Sequence, residues 1–220
     1  MKKILLGIAT FLFLSANAFA GVNIGISGAF TNFETDGTET VKSSSEKKTG
    51  SADEKVVVPS LFIEFQNSMG LAIGIDIIPA EAELGSGRNA RTDTDTDDAS
   101  DTAGNNDVSA ELTSHNTVYA LIPVGGAGVY VKGGIARATV DTTETLATGT
   151  VYGNEDIDGL MIGVGYQSNR DNGMFIRAEG TYTDYEDVKF KGSLDSDSVR
   201  NTVDADIDAL ALRISLGKSF

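Results

Sequence analysis

Apolar residues recur along this chain at every second position, not at the three- and four-residue spacing of an amphipathic helix, and that period is the mark of β-strands. The last segment shows it most clearly. Leu210, Leu212, Ile214 and Leu216 share one parity, while Ala211, Arg213, Ser215, Gly217 and Ser219 share the other. Leu71, Ile73, Ile75 and Ile77 oppose Ala72, Gly74 and Asp76 in the same way; Val57, Leu61, Ile63 and Phe65 oppose Ser60, Phe62 and Glu64. Further segments carry Val22, Ile24, Ile26 and Phe30, and Leu160, Ile162, Val164 and Tyr166. Three weaker ones run over 111–123 (with Tyr119 and Leu121), 128–140 (with Val129, Val131 and Ile135) and 173–185 (with Met174, Ile176 and Tyr182). The Gly133-Gly134 pair predicts a bulge in the second of these.

Eight strands are therefore expected, and their connections alternate. Gln66 to Gly70, Val124 to Gly128 and Ser168 to Gly173 are short and rich in Gly or Asn, as hairpins require. Residues 34–55, 81–110, 141–156 and 186–205 are long and loaded with Asp, Glu, Thr, Ser and Gly. Four long loops and three short turns, with both ends on the short side, predict an all-β fold: an eight-stranded antiparallel up-and-down transmembrane barrel with extracellular loops and periplasmic turns.

Alternation alone does not say which face meets water, but residue volume does. One parity is bulky; the other is mostly Gly, Ala and Ser with a few charges. The lumen of an eight-stranded barrel is only wide enough for side chains to fill, so the small set belongs inside and the bulky set faces lipid. A soluble sandwich or lipocalin-like barrel would place them the other way round.

The first twenty residues read as a cleaved signal peptide: Lys2 and Lys3, an apolar run from Ile4 to Leu14, and Ala18-Phe19-Ala20 at the cleavage site. The expectation is a leader over 1–20 and one barrel domain over 21–220, with no further domain. Removing Lys2 and Lys3 takes the formal charge from −15 to −17, which argues against nucleic acid as a partner. The chain has no cysteine, so disulfides and thiolate metal sites are excluded.

On the inward parity stand Glu64, Asp76, Lys132, Arg177, Glu179 and Arg213, three acids and three bases that need one another in a narrow lumen. They predict an ion-pair network, structural or gating. Phe62, Met161 and Phe175 share this parity and make the interior less polar than a porin's. The single histidine, His115, is expected on the lipid-facing parity near the outer end of its strand, where a triad with Glu111 or Ser114 would be contrived. The run from Asp93 to Asp101 spaces carboxylates alternately, but it lacks the glycine and bidentate glutamate of a calcium-binding EF-hand; a disordered, solvated loop is the expectation there, with loose Ca²⁺ or Mg²⁺ association as the alternative.

In topology the chain resembles the small outer-membrane barrels typified by the OmpA transmembrane domain, OmpX and the opacity proteins, with OmpW-like barrels as neighbours. Its terminal Leu212, Ile214, Leu216 and Phe220 are similar to the C-terminal signal read by the barrel assembly machinery, though Lys218 stands where many relatives carry an aromatic. The resemblance implies a Gram-negative outer-membrane location and partners in outer-membrane lipid, lipopolysaccharide, the assembly machinery and periplasmic chaperones. Neither a cofactor nor catalysis is expected. A plugged structural or envelope barrel with acidic surface loops is the leading reading; a small passive channel, porin-like or OmpW-like, and a surface adhesion protein are the alternatives.

Overall fold

The computed structural model describes residues 19–41, 46–91, 104–146, 151–193 and 201–220. The expected leader (1–20) lies almost wholly outside them, as does the Asp93–Asp101 run. Ten strands form one antiparallel sheet: β1 (Phe19–Val41), β2 (Glu46–Asn67), β3 (Ala72–Ile77), β4 (Ala82–Arg91), β5 (Gly104–Pro123), β6 (Val129–Thr145), β7 (Glu155–Asn169), β8 (Met174–Tyr185), β9 (Val188–Lys191) and β10 (Thr202–Ser219). Eight of them close a ring in the order β1-β2-β3-β5-β6-β7-β8-β10, with β10 pairing back to β1. β4 and β9 prolong the β3 and β8 walls outward, pairing with β5 and β10 respectively. No helix among the described residues is long and apolar enough to cross a membrane; the strands do so instead.

Closure is staggered. Following paired residues around the ring from Asn23 passes through Glu64, Gly74, Tyr119, Gly134, Met161, Thr183 and Ala209, and returns to β1 at Phe33, ten residues further along. That shear tilts the strands and sets which side chains meet across the lumen.

The bulky parity faces outward as expected: Leu212 (68% exposed), Val164 (62%) and Ile26 (57%) belong to a continuous aliphatic band. Three expectations are corrected. The polar segments taken as long loops are largely strand, with β1 running to Val41 and β2 starting at Glu46. Above the lipid both faces of the sheet meet polar surroundings, so the hydrophobic alternation fades while backbone pairing continues. No bulge occurs at Gly133-Gly134, where the register on both sides is continuous; it lies instead on β5 between Thr113 and Asn116, with Ser114 at φ 50°. Tyr119 and Leu121 face inward, leaving Val118 and Ile122 toward lipid.

The inner face is also not uniformly small. Five of the large inner rings sit beside a glycine in a paired register position: Phe62 by Gly25, Phe175 by Gly217, Tyr130 by Gly165, Tyr185 by Gly159, and Tyr119 between Gly74 and Gly134. A Cβ on Gly134 would meet Tyr119 Cβ at 2.8 Å and the Val118 carbonyl oxygen at 2.6 Å, and one on Gly74 would meet the Tyr119 ring at 2.7 Å. The rings lie flat over the strand beside them because no side chain stands there.

Glycines on the two faces therefore tolerate substitution differently. Gly217→Val, which would drive a side chain into the Phe175 ring, is expected to cost about 1–3 kcal/mol by overpacking. Gly28→Val, whose Cβ meets nothing within 4 Å, is expected to stay within about 0.5 kcal/mol of the parent. Urea unfolding of the two refolded variants in lipid checks the contrast.

Candidate functional site: a plugged lumen beneath an outer cavity

All six charged residues picked out from the sequence face the lumen, and they form three pairs. Glu64 on β2 and Arg177 on β8 meet in a two-pronged contact, Nη1 to Oε1 at 2.5 Å and Nη2 to Oε2 at 2.6 Å. Glu64 also accepts hydrogen bonds from Tyr119 Oη (2.7 Å) and Asn23 Nδ2 (3.2 Å), so both its oxygens are held. Arg177 donates its remaining Nε–H to Gln167 Oε1 at 2.8 Å. Its guanidinium lies among three rings, 4.9 Å from the Phe175 centroid, 5.2 Å from Phe62 and 5.6 Å from Tyr130, where quadrupole attraction adds to the ion pair.

Lys132 on β6 pairs with Glu179 on β8 at 3.1 Å, both side chains only 2% exposed, and its ammonium stands 4.0 Å from the Tyr119 centroid. Arg213 on β10 pairs with Asp76 on β3. Ions held this far from water persist only when partnered and hydrogen-bonded. These pairs and the rings around them fill the periplasmic half of the lumen.

Above the charges lies an apolar girdle. Phe33, Val58, Ile78, Leu84, Leu112, Val140, Ile157, Tyr185, Phe190 and Ile207 are all buried and packed together across the barrel. His115 stands at the boundary between girdle and charges. It shares the inward parity of Thr117 and Tyr119, which corrects its expected lipid-facing position, and the bulge beyond it passes the inward parity to Leu112; its Nε2 is 3.1 Å from Tyr185 Oη and the two rings are 6.1 Å apart, edge to face.

The girdle is the floor of a cavity of about 570 Å³ in the outer half of the barrel. Its walls combine Leu84, Val108, Ala110, Val140, Phe190 and Ile207 with two carboxylates, Glu39 and Glu144. Glu39 accepts a hydrogen bond from Tyr152 Oη at 3.2 Å, which ties the segment before β7 to β1.

One wall of the cavity has no hydrogen-bonded ladder. β2 pairs with β3 only from Leu61 to Gln66. Beyond Ser60 the neighbour is β4, which pairs with β5 alone. Pro59 and Pro79 stand where the β2–β3 ladder stops, and neither has an N–H to continue it. The facing edges, Gly50-Ser51-Ala52 and Gly85-Ser86-Gly87, both line the cavity. Outward-facing residues change character at the same height, from Val57 and Ile77 to Lys55, Glu81 and Glu83. The seam therefore opens at the upper rim of the lipid-facing band.

Sequence reasoning found the six charges but missed Asn23, Tyr119, Tyr130 and Gln167 around them, and it missed the cavity and the seam. The two prolines were the available signal for the seam. Glu39 and Glu144 sit in stretches that are polar on both faces, where alternation carries no information.

Arg177→Ala is expected to cost about 3–5 kcal/mol, because it strands the Glu64 carboxylate. Arg88→Ala, which breaks a pair with side chains 69% and 44% exposed, is expected to cost at most about 1 kcal/mol. Glu64→Gln combined with Arg177→Met should lose less than the two single changes together; equilibrium unfolding of the four proteins measures the coupling.

The overall architecture matches known barrels. OprG from Pseudomonas aeruginosa is 16% identical, with 92% of this chain and 97% of that one covered and a TM-score of 0.60. The outer-membrane protease OmpT from Escherichia coli is 8% identical, with 91% and 97% covered and a TM-score of 0.53. At these identities the likeness is one of fold. No curated protein matches the sequence. The family model described as the outer membrane protein beta-barrel domain matches residues 5–220, so this chain belongs to that family and is a β-barrel of the Gram-negative outer membrane.

Proposed function

We propose that this barrel takes small apolar solutes into its outer cavity and passes them sideways through the β2–β4 seam into the outer leaflet, and that its axis is closed. The observation that carries this reading is the stacking of a largely apolar cavity directly on an apolar floor and a charged plug, with neither a ladder nor a backbone hydrogen bond among the described residues along the β2–β4 wall of that cavity, whereas the β9 side, also without a ladder, is tied by Ser193 N–H to the Val151 carbonyl and Glu186 N–H to the Asp158 carbonyl. A purely structural barrel would need the plug but not the cavity. An axial channel would need the three ion pairs to part, whereas the seam parts without breaking a backbone hydrogen bond. In this reading no residue acts chemically on the solute; the protein supplies a dry site and an exit.

The seam can be locked. A Cβ on Gly85 would come within 2.9 Å of Ala52 Cβ, tighter than the ~3.5–4.5 Å a disulfide spans, so the two edges are near enough to be bridged once they give by about 1 Å, and the chain contains no cysteine of its own. Ala52→Cys/Gly85→Cys is expected to form this bond on oxidation. In lipopolysaccharide-containing proteoliposomes, naphthalene entry followed by fluorescence should then fall to the protein-free rate and recover with reductant. Planar bilayers holding the parent protein should show no steady ion conductance. Steady conductance, or naphthalene entry unaffected by the lock, would overturn the reading.

A further inference from the structure

Every charged group in the lining of the outer cavity is an acid. Glu39 on β1 and Glu144 on β6 both contribute to it, and neither a lysine nor an arginine does. Glu39 has one hydrogen bond, from Tyr152. Glu144 is in a different state: the residue is half-buried, and its Oε1 is buried with no hydrogen-bond partner among the described residues. Thr35 Oγ1, another lining atom, is likewise buried and unpartnered. A buried carboxylate oxygen without a donor is costly to maintain. Most of the wall around it is apolar, Leu84, Val140, Phe190 and Ile207 included; of the hydroxyls in the lining, Thr142 donates to the Gly153 carbonyl and Tyr152 to Glu39, and Glu144 Oε1 receives a hydrogen bond from no described residue. Lys48 is the register partner of Glu39 on β2, but it is exposed and does not line the cavity.

Resting on the solute-binding reading above, we propose that the preferred occupant is a small amphiphilic amine: an aliphatic or aromatic body of a few carbons carrying a primary or secondary ammonium group. The apolar wall takes the body. Glu144 takes the ammonium through a charge-assisted hydrogen bond, with Glu39 close enough in the same lining to add attraction. The waiting groups are acceptors, so the ligand must bring N–H donors; a quaternary ammonium matches the charge but not the hydrogen bond. The two carboxylates repel a fatty carboxylate. A charged group bound in a nearly dry pocket discriminates strongly, because a ligand without the matching donor leaves the carboxylate unpaired.

The test compares ligands of one shape. Titration calorimetry on the full barrel in phosphatidylcholine nanodiscs uses 2-phenylethylamine, 2-phenylethanol and phenylacetate. The amine is expected to bind at least about tenfold more tightly than the alcohol, and phenylacetate more weakly than either. Glu144→Gln should bring amine and alcohol to within about twofold of each other and leave the alcohol unchanged, which separates loss of charge recognition from loss of fold; Glu39→Gln should have a smaller effect in the same direction. Equal binding of amine and alcohol to the parent would overturn the amine assignment while leaving the solute-binding reading intact. No binding of any of the three would overturn that reading itself. Repeating the amine titration in nanodiscs rich in phosphatidylethanolamine should leave its affinity unchanged; a clear weakening would mean that a lipid headgroup amine, not a free solute, is the occupant and would overturn the proposal.

Discussion

The lumen of an eight-stranded barrel has to be filled from its own wall, and the pairing of the rings around the lumen charges with glycines on neighbouring strands is the constraint from which the rest follows. Phe62, Phe175, Tyr119 and Tyr130 can lie across the lumen only because Gly25, Gly217, Gly74, Gly134 and Gly165 leave room for them. Phe62, Phe175 and Tyr130 form the cage in which Arg177 sits, while Tyr119 lies against the Lys132 ammonium and supplies one of the hydrogen bonds that hold Glu64. Without the glycines the rings would be displaced, and without the rings the guanidinium would face empty space or water. The plug is thus built by backbone positions as much as by charges.

A second constraint acts on the wall. In hydrocarbon, an unpaired backbone N–H or C=O costs several kcal/mol, so a spanning barrel keeps its ladders complete there. β2 obeys this as far as Leu61 and loses its partner only beyond Ser60, where outward residues turn from aliphatic to charged. The seam is placed at the lowest height at which water and headgroups can satisfy the free edges. Elsewhere on the crown the edges are tied, as where Ser193 N–H donates to the Val151 carbonyl at 2.8 Å. An opening in the wall is therefore confined to the level of the cavity.

How much of this could be read from the sequence follows from the same physics. Segments whose outer face meets lipid and whose inner face is small, such as Leu210 to Leu216 and Leu160 to Tyr166, announce both strand and orientation. On β5 the large residue Tyr119 is inside, so size and hydrophobicity point the wrong way and the parity is misread; His115, four residues earlier on the same parity, is misplaced with it, and the bulge beyond it that passes the inward parity to Leu112 is invisible to a period-two pattern. The six lumen charges are legible because an ionised group on a lipid-spanning strand has to face inward. Which acid meets which base is not, since the ten-residue stagger of the ring, and not any spacing along the chain, brings Glu64 to Arg177 and Asp76 to Arg213.

Under the proposed solute-binding function, the stacking of cavity, girdle and lumen charges also bears on the direction in which a solute would leave. Descent along the axis requires at least Glu64 to part from Arg177 and Lys132 from Glu179, in a region where losing a partner costs about 3–5 kcal/mol for each pair. Together these slow passage by roughly four to seven orders of magnitude. Leaving through the wall asks only that Gly50-Ser51-Ala52 separate from Gly85-Ser86-Gly87, edges joined by no ladder hydrogen bond and carrying little side-chain surface, for which burial contributes about 0.8 kcal/mol per methylene. On the proposed reading, a barrier at the periplasmic end and a weakest contact at the rim of the lipid band together favour exit toward the membrane over exit toward the periplasm.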